Sequence, residues 1–96
     1  MSVTPNSVLA RDTEPVAQMI DNKFVVLSVR AGFYFDFNTV GSKIWAMLDE
    51  PRSVSEIVDQ LSRLHNVDTD TVTRDVIPFL QTLVDKRLLR IVGEDR

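Results

Sequence analysis

The stretch FVVLSVRAGFYFDFNTVGSKIWAML, from Phe24 to Leu48, decides the fold because its hydrophobic period changes once along its length. Residues 24–29 are apolar and rich in valine, and residues 33–37 alternate strictly, so both segments predict strands. After Asn38 the apolar residues recur at helical spacing, at Val40, Ile44, Trp45 and Leu48. The stretch therefore predicts two strands that lead directly into a helix.

The alternating segment has two chemically different faces. Phe33, Phe35 and Phe37 share one face, and we expect that face to point into the core because a chain of this length needs its aromatic side chains for packing. Tyr34 and Asp36 share the other face and should point to solvent or to a partner. Tyr34 is then either a singly exposed aromatic residue or part of a binding surface.

Towards the N-terminus the chain is polar. Residues 1–15 contain Pro5 and Pro15 and predict a flexible N-terminal segment. A short strand at residues 8–11 is the one regular element that this segment could contain. Residues 16–20 predict a further strand, joined to Phe24 by the turn pair Asp21 and Asn22. The first third of the chain is therefore expected to form a three-stranded antiparallel meander.

Towards the C-terminus the pattern is helical. The first helix should end before Pro51, and Ser53 with Glu56 forms a capping box for a second helix that runs to about His65. Asp68 or Asp70 can begin a third helix, in which Pro78 predicts a kink or a break. A short apolar segment at residues 88–92 and a charged tail at residues 93–96 follow.

The elements together predict an α+β fold of the winged-helix kind, in which a three-stranded antiparallel sheet is followed by three helices. One domain at residues 16–92 accounts for the whole pattern. Such a meander leaves open strand edges, whose unpaired N–H and C=O groups can pair with another chain. Residues 33–37 are the natural candidate for an edge that is used in this way.

Composition narrows the function. The 96 residues are 44% hydrophobic and carry a net charge of -3 with no basic block, which lowers the expectation of nucleic-acid binding. No apolar run is long enough to span a membrane and no secretory signal is visible, so we expect a cytoplasmic protein. The chain has no cysteine, a single histidine at position 65 and three scattered glycines. We therefore expect no metal, no cofactor, no catalytic residues and no enzymatic activity.

The order and spacing of several short pieces resemble the PqqD-like family, whose members recognise ribosomally made, post-translationally modified peptides (RiPPs). The resemblance covers about residues 16–92 and is carried by Gly32–Asn38, Gly41, Ile44-Trp45, Leu48-Asp49, Ser53-Val54, Glu56-Ile57, Asp75-Val76, Phe79-Leu80, Leu83 and Leu88-Leu89. The aromatic strand is most similar to the stand-alone proteins of lasso-peptide biosynthesis. Two departures from the family pattern are Pro78 and the Lys86-Arg87 pair, which stands where a glycine commonly precedes the final Leu-Leu.

The resemblance implies a non-enzymatic protein that binds the leader segment of a precursor peptide as an added strand, in a groove beside the third helix. The implied peptide-binding residues are Phe33, Tyr34, Phe35, Asp36, Phe37, Arg74, Asp75, Pro78, Phe79 and Thr82. The implied partners are the precursor and a leader peptidase or another peptide-modifying enzyme. A homodimer formed through the same strand edge would compete with the peptide.

The alternatives are an uncharacterised structural partner domain and a winged-helix DNA-binding module. DNA binding would call for a basic third helix, whereas residues 68–87 carry three basic and four acidic side chains, Arg74, Lys86 and Arg87 against Asp68, Asp70, Asp75 and Asp85. This charge balance favours peptide recognition.

Overall fold

A computed structural model of the chain describes residues 2–94. Its elements, in chain order, are β1 (Ser7–Arg11), β2 (Val16–Ile20), β3 (Lys23–Ser28), β4 (Phe33–Asp36), α1 (Thr39–Met47), β5 (Arg52–Ser53), α2 (Val54–His65), α3 (Thr69–Asp85) and β6 (Leu89–Glu94). Among these described residues, no helix is long and apolar enough to cross a membrane. The α+β class predicted from the sequence is confirmed.

The described part of the chain forms two antiparallel sheets of three strands each, so the predicted single sheet is incomplete. The predicted meander is the β2–β3–β4 sheet, and a second sheet has the order β5–β1–β6. The second sheet joins the two ends of the chain, with Leu9 of β1 opposite Ile91 of β6. Its strands were hard to predict because β5 has only two residues and because β1 lies in a polar segment. The winged-helix part of the prediction stays a prediction.

The N-terminal segment predicted to be flexible contributes to the packed structure. β1 occupies residues 7–11, where a short strand was allowed for, and the side chain of Leu9 is completely buried. The amide of Val3 donates a hydrogen bond to Gln81 of α3 at 2.7 Å. The packed part of the chain therefore begins before Val16. Of the predicted charged tail, Gly93 and Glu94 end β6, and residues 95 and 96 lie outside the described residues.

The helices begin where the sequence predicts. Asn38 caps α1 by accepting a hydrogen bond from the amide of Gly41, and Ser53 and Glu56 form the expected capping box of α2. α3 is continuous through Pro78, so the predicted break is absent. Pro78 lacks the amide that would donate to the carbonyl of Arg74, and its ring lies on the exposed side of the helix. The buried face of α3 is carried by Val72, Val76, Leu80 and Leu83.

The core lies between the helices and the two sheets, with Leu9 of β1, Val26 of β3 and Leu89 of β6 all buried in it. Trp45 of α1 is 2% exposed and packs against Phe37, with ring centroids 5.5 Å apart. Arg11 of β1 lies over the Trp45 ring, with its guanidinium carbon 4.8 Å from the ring centroid. The same guanidinium donates to the carbonyl of Trp45 at the C-terminal end of α1. These contacts hold α1 against β1 and against Phe37, the residue that follows β4.

Candidate functional site

The outer edge of β4 is open in the meander sheet because, among residues 2–94, β4 pairs only with β3. The turn at Asp21 and Asn22, with φ of 52° and 65°, pairs Ile20 of β2 with Lys23 of β3. On the other side of β3, the amide of Phe37 donates to the carbonyl of Phe24 at 3.0 Å. Antiparallel hydrogen bonding alternates along a strand. The backbone groups of Phe33, Phe35 and Phe37 therefore point inwards to β3.

The same alternation points the N–H and C=O groups of Tyr34 and Asp36 outwards to the open edge. The Tyr34 side chain is 68% exposed and lies on the solvent face of the sheet, across from Leu27. Phe33 and Phe35 are partly buried and Phe37 is fully buried, as the alternation predicted. The strand thus combines an anchored aromatic face with two backbone positions that are free to pair.

An apolar groove runs beside this edge and is called the β4–α3 groove below. Its volume is about 420 Å³, and it is lined by Phe35, Asp36, Phe37, Asn38, Val40, Gly41, Ile44, Asp75, Val76 and Phe79. The Phe37 and Phe79 rings meet edge to face at 5.9 Å and form its aromatic floor. A strand added to β4 would lay alternate side chains into this groove.

Gly41 lies where α1 approaches the groove floor closely. A Cβ atom at this position would lie 3.1 Å from Cζ of Phe79 and 3.2 Å from Cδ1 of Phe37. Both distances are shorter than ordinary van der Waals contact, so any larger residue would displace the aromatic rings. The sequence pattern included Gly41 but gave no reason for it, since the reason is a contact between three separate elements.

Half of the ten predicted site residues line the groove, and the other half lie outside its lining. Phe35, Asp36, Phe37, Asp75 and Phe79 line the groove, and Phe33 and Tyr34 lie on the same strand. Thr82 is exposed and follows Phe79 along the same side of α3. Arg74 and Pro78 are exposed and do not line the groove. One helical residue corresponds to about 100° of rotation, which turns Arg74 away from the side that carries Asp75.

Lys86 is a basic residue of this region that the sequence did not identify as part of the site. Nζ of Lys86, the C-terminal capping residue of α3, lies 5.4 Å from the centroid of the Phe33 ring. Lys86 therefore reaches the start of β4, whereas Asp75 lies near its end. The spacing of Asp75, Phe79, Thr82 and Lys86 places all four on one side of a helix, and this periodicity is the signal that could have revealed the lysine.

Glu14 braces the loop that precedes β4. Its carboxylate accepts hydrogen bonds from the Ser28 hydroxyl at 2.8 Å and from the Val29 and Arg30 amides at 2.9 and 3.4 Å. The Ser28 hydrogen bond is the main cause that lowers the pKa of Glu14 from its ordinary 4.5. A cleft lined by Glu14, Arg30, Lys86 and Arg87, among others, adjoins this loop.

We expect the Glu14 brace to be lost in acid. Because folding lowers the pKa, the charged form stabilises the loop above the unfolded pKa, and this contribution disappears as pH falls through the folded pKa. In an NMR titration, the Val29 and Arg30 amides should shift together with the Glu14 carboxyl carbon, at a midpoint below 4.5. Ser28→Ala should raise that midpoint. An unchanged midpoint in this variant would contradict the assignment.

An α+β domain that presents an open strand edge beside an apolar, helix-walled groove defines a class of small domains suited to holding an extended chain. The chain belongs to the PqqD family: the family model described as coenzyme PQQ synthesis protein D matches residues 23–89. The resemblance noted from the sequence is confirmed. No curated protein sequence is similar enough to count as a relative.

Two solved structures are similar to this one. The first is TbiB1 in complex with the TbiA(beta) leader peptide, at 36% identity and a TM-score of 0.81, over 88% of this chain and 99% of that chain. The second is the PqqD truncation of Methylobacterium extorquens PqqCD, described as a functional, stand-alone RiPP recognition element. It shares 22% identity and a TM-score of 0.77, over 93% of this chain and 95% of that chain, and shows likeness of fold.

Proposed function

We propose that this protein binds the leader segment of a ribosomally synthesised precursor peptide as an added strand on β4. The observation that carries the proposal is the open edge of β4, where the backbone groups of Tyr34 and Asp36 face outwards beside the β4–α3 groove. Main-chain pairing supplies affinity in such complexes, and the groove supplies selectivity for alternate side chains. The likeness to TbiB1, whose structure contains a leader peptide, supports the same function.

The proposed contact residues come from three places. β4 contributes the strand, with Phe33 to Phe37 as its backbone and aromatic face. α3 contributes Asp75, Phe79 and Thr82 as the helix wall, with Arg74 and Pro78 on its solvent-exposed flank. α1 contributes Val40, Gly41 and Ile44 to the floor. We infer the lasso-peptide type of pathway from the aromatic sequence of β4.

The protein is proposed to deliver the bound peptide and to catalyse nothing itself. No group of three or more metal-ligating side chains lies close together within residues 2–94. Holding a leader and a partner enzyme together makes the later encounter intramolecular and raises the effective concentration of substrate. We propose a leader peptidase or another modifying enzyme as that partner, and the outer faces of α1 and α2 as its docking surface. These faces lie outside the β4 edge that the peptide would occupy.

The function is tested with a fluorescein-labelled synthetic leader, taken from a precursor peptide whose gene is to be sought beside the gene for this protein. We expect saturable binding of the leader and no mobility shift of mixed duplex DNA, because the groove is not basic. Cleavage of the full-length precursor by the partner peptidase, followed by mass spectrometry, should be faster when this protein is added. Cleavage by this protein alone, or a peptidase rate indifferent to its presence, would refute the proposal.

A homodimer is also proposed, through β2 rather than β4. β2 is the other edge of the meander sheet, and its sequence VAQMI is uncharged, with Val16, Met19 and Ile20 at least half exposed. Edge strands that stay unpaired usually carry charges or proline. A Met19→Lys variant should shift the mass measured by light scattering towards the monomer and leave leader binding intact. If the wild type is a monomer at every concentration, this proposal is wrong.

A further inference from the structure

Opposite charges flank the apolar β4–α3 groove: an acidic side chain lines it near the end of β4, and a basic side chain lies beyond it near the start of β4. Asp75 lines one end, next to Asp36 at the end of β4. Lys86 lies beyond the other end, over Phe33, and Arg30 and Arg87 line the cleft beside it. Glu14 in that cleft is already held by the Ser28 hydroxyl and two loop amides. The charge is therefore negative at the Asp75 end and positive at the Lys86 end.

The charges at the two ends are available to a ligand. Within the described residues, the ion pairs involve Arg52 with Asp49 and Glu56, and Arg63 with Asp59, and none involves Asp36, Asp75 or Lys86. Asp75 and Lys86 are both exposed, on the same side of α3. Exposed charges at the rim of a binding site contribute to selectivity and association rate more than to affinity.

Resting on the proposed function, we infer that the bound strand carries a basic residue at the Asp75 end of the groove and an acidic residue at the Lys86 end. α3 rises about 1.5 Å per residue, so these two side chains are roughly 16 Å apart along its axis. An extended chain covers that distance in about five residues. Because alternate side chains face the same way, the two ligand charges should be about four or six residues apart, with apolar residues between them.

The charge pattern also fixes the direction of the bound strand. β4 runs from the Lys86 end to the Asp75 end, so an antiparallel peptide would carry its basic residue first. A parallel peptide would carry its acidic residue first. A single preferred order along the peptide therefore reports the strand direction, and the reversed order places like charges together at both ends. We expect the reversed order to bind about tenfold more weakly at low salt.

The probe is an mRNA-display library of random 12-residue peptides, selected on the immobilised full-length protein and sequenced. We expect enrichment of one basic and one acidic residue, about four or six positions apart, in a single order. The double variant Asp75→Lys with Lys86→Glu should enrich the reversed order. Asp59→Lys with Arg63→Glu is the matched control, since it makes the same exchange in the exposed ion pair of α2 and should keep the wild-type order.

The outcomes separate this inference from the proposed function. Enriched peptides with no preferred charge order, or an order unchanged in the Asp75→Lys, Lys86→Glu variant, would overturn the charge inference and leave strand addition standing. The failure of every peptide, including the synthetic leader, to bind would overturn the proposed function and this inference with it. Circular dichroism of each variant excludes unfolding as the cause of a changed order.

Discussion

Proline at both Tyr34 and Asp36 is expected to abolish most of the leader binding while the domain stays folded. These two residues direct their amides to the open edge of β4, so each proline deletes a hydrogen-bond donor that a bound strand would use. Two net hydrogen bonds correspond to about 1–3 kcal/mol, or roughly a 5- to 150-fold loss in affinity. The β3–β4 ladder keeps its own hydrogen bonds, because these come from the intervening phenylalanines.

The measurement is a fluorescence titration with the labelled synthetic leader, and two controls make it specific. Tyr34→Ala with Asp36→Ala removes the same side chains and keeps both amides, so it should bind much more strongly than the double proline variant. Met19→Pro places a proline at an outward-facing position on β2, the opposite edge of the same sheet, and should bind the leader like the wild type. Equal affinity of the double proline and double alanine variants would show that the peptide does not pair with β4.

The meander sheet and the three helices could be predicted from the sequence because their signals are local. The alternation at residues 33–37 and the capping box at Ser53 each depend on residues within a few positions of one another. β1 and β6 could not be predicted in the same way. The two strands are about 80 residues apart in the chain, and their register shifts between Val8 and Leu9. The sequence of either strand therefore does not show which strand it pairs with.

For the candidate binding site, too, the features set by local sequence could be predicted and those set by distant contacts could not. Which residues of β4 face outwards, Tyr34 and Asp36, follows from the alternation of the sequence and from the register of the β3–β4 hairpin alone. The groove could not be predicted in this way, because Val40 and Gly41 of α1 and Phe79 of α3 line it from separate parts of the chain. Lys86 stood out in the sequence only as a departure from the family pattern. Its position over Phe33 gives that departure a physical role.

Phe37→Ala is expected to give the largest loss of stability among the site residues, because Phe37 belongs to both the core and the groove. Its side chain is 3% exposed, and its ring lies 5.0 Å from Phe35, 5.5 Å from Trp45 and 5.9 Å from Phe79. Truncation of a buried phenylalanine costs about 3–5 kcal/mol through lost burial and the cavity that remains. A domain of this size has only about 5–15 kcal/mol of stability in total.

Urea denaturation followed by tryptophan fluorescence measures this loss, since Trp45 packs directly on the mutated ring. Tyr34→Ala is the matched control on the same strand: its side chain is 68% exposed, and its stability should change by less than about 0.5 kcal/mol. Phe37→Leu keeps most of the buried volume and should remain folded, yet it removes the aromatic partner of Phe79 at the groove floor. We expect Phe37→Leu to bind the leader more weakly than Tyr34→Ala does. If Phe37→Ala were as stable as Tyr34→Ala, the ring contacts of Phe37 could not be what joins β4 to the core.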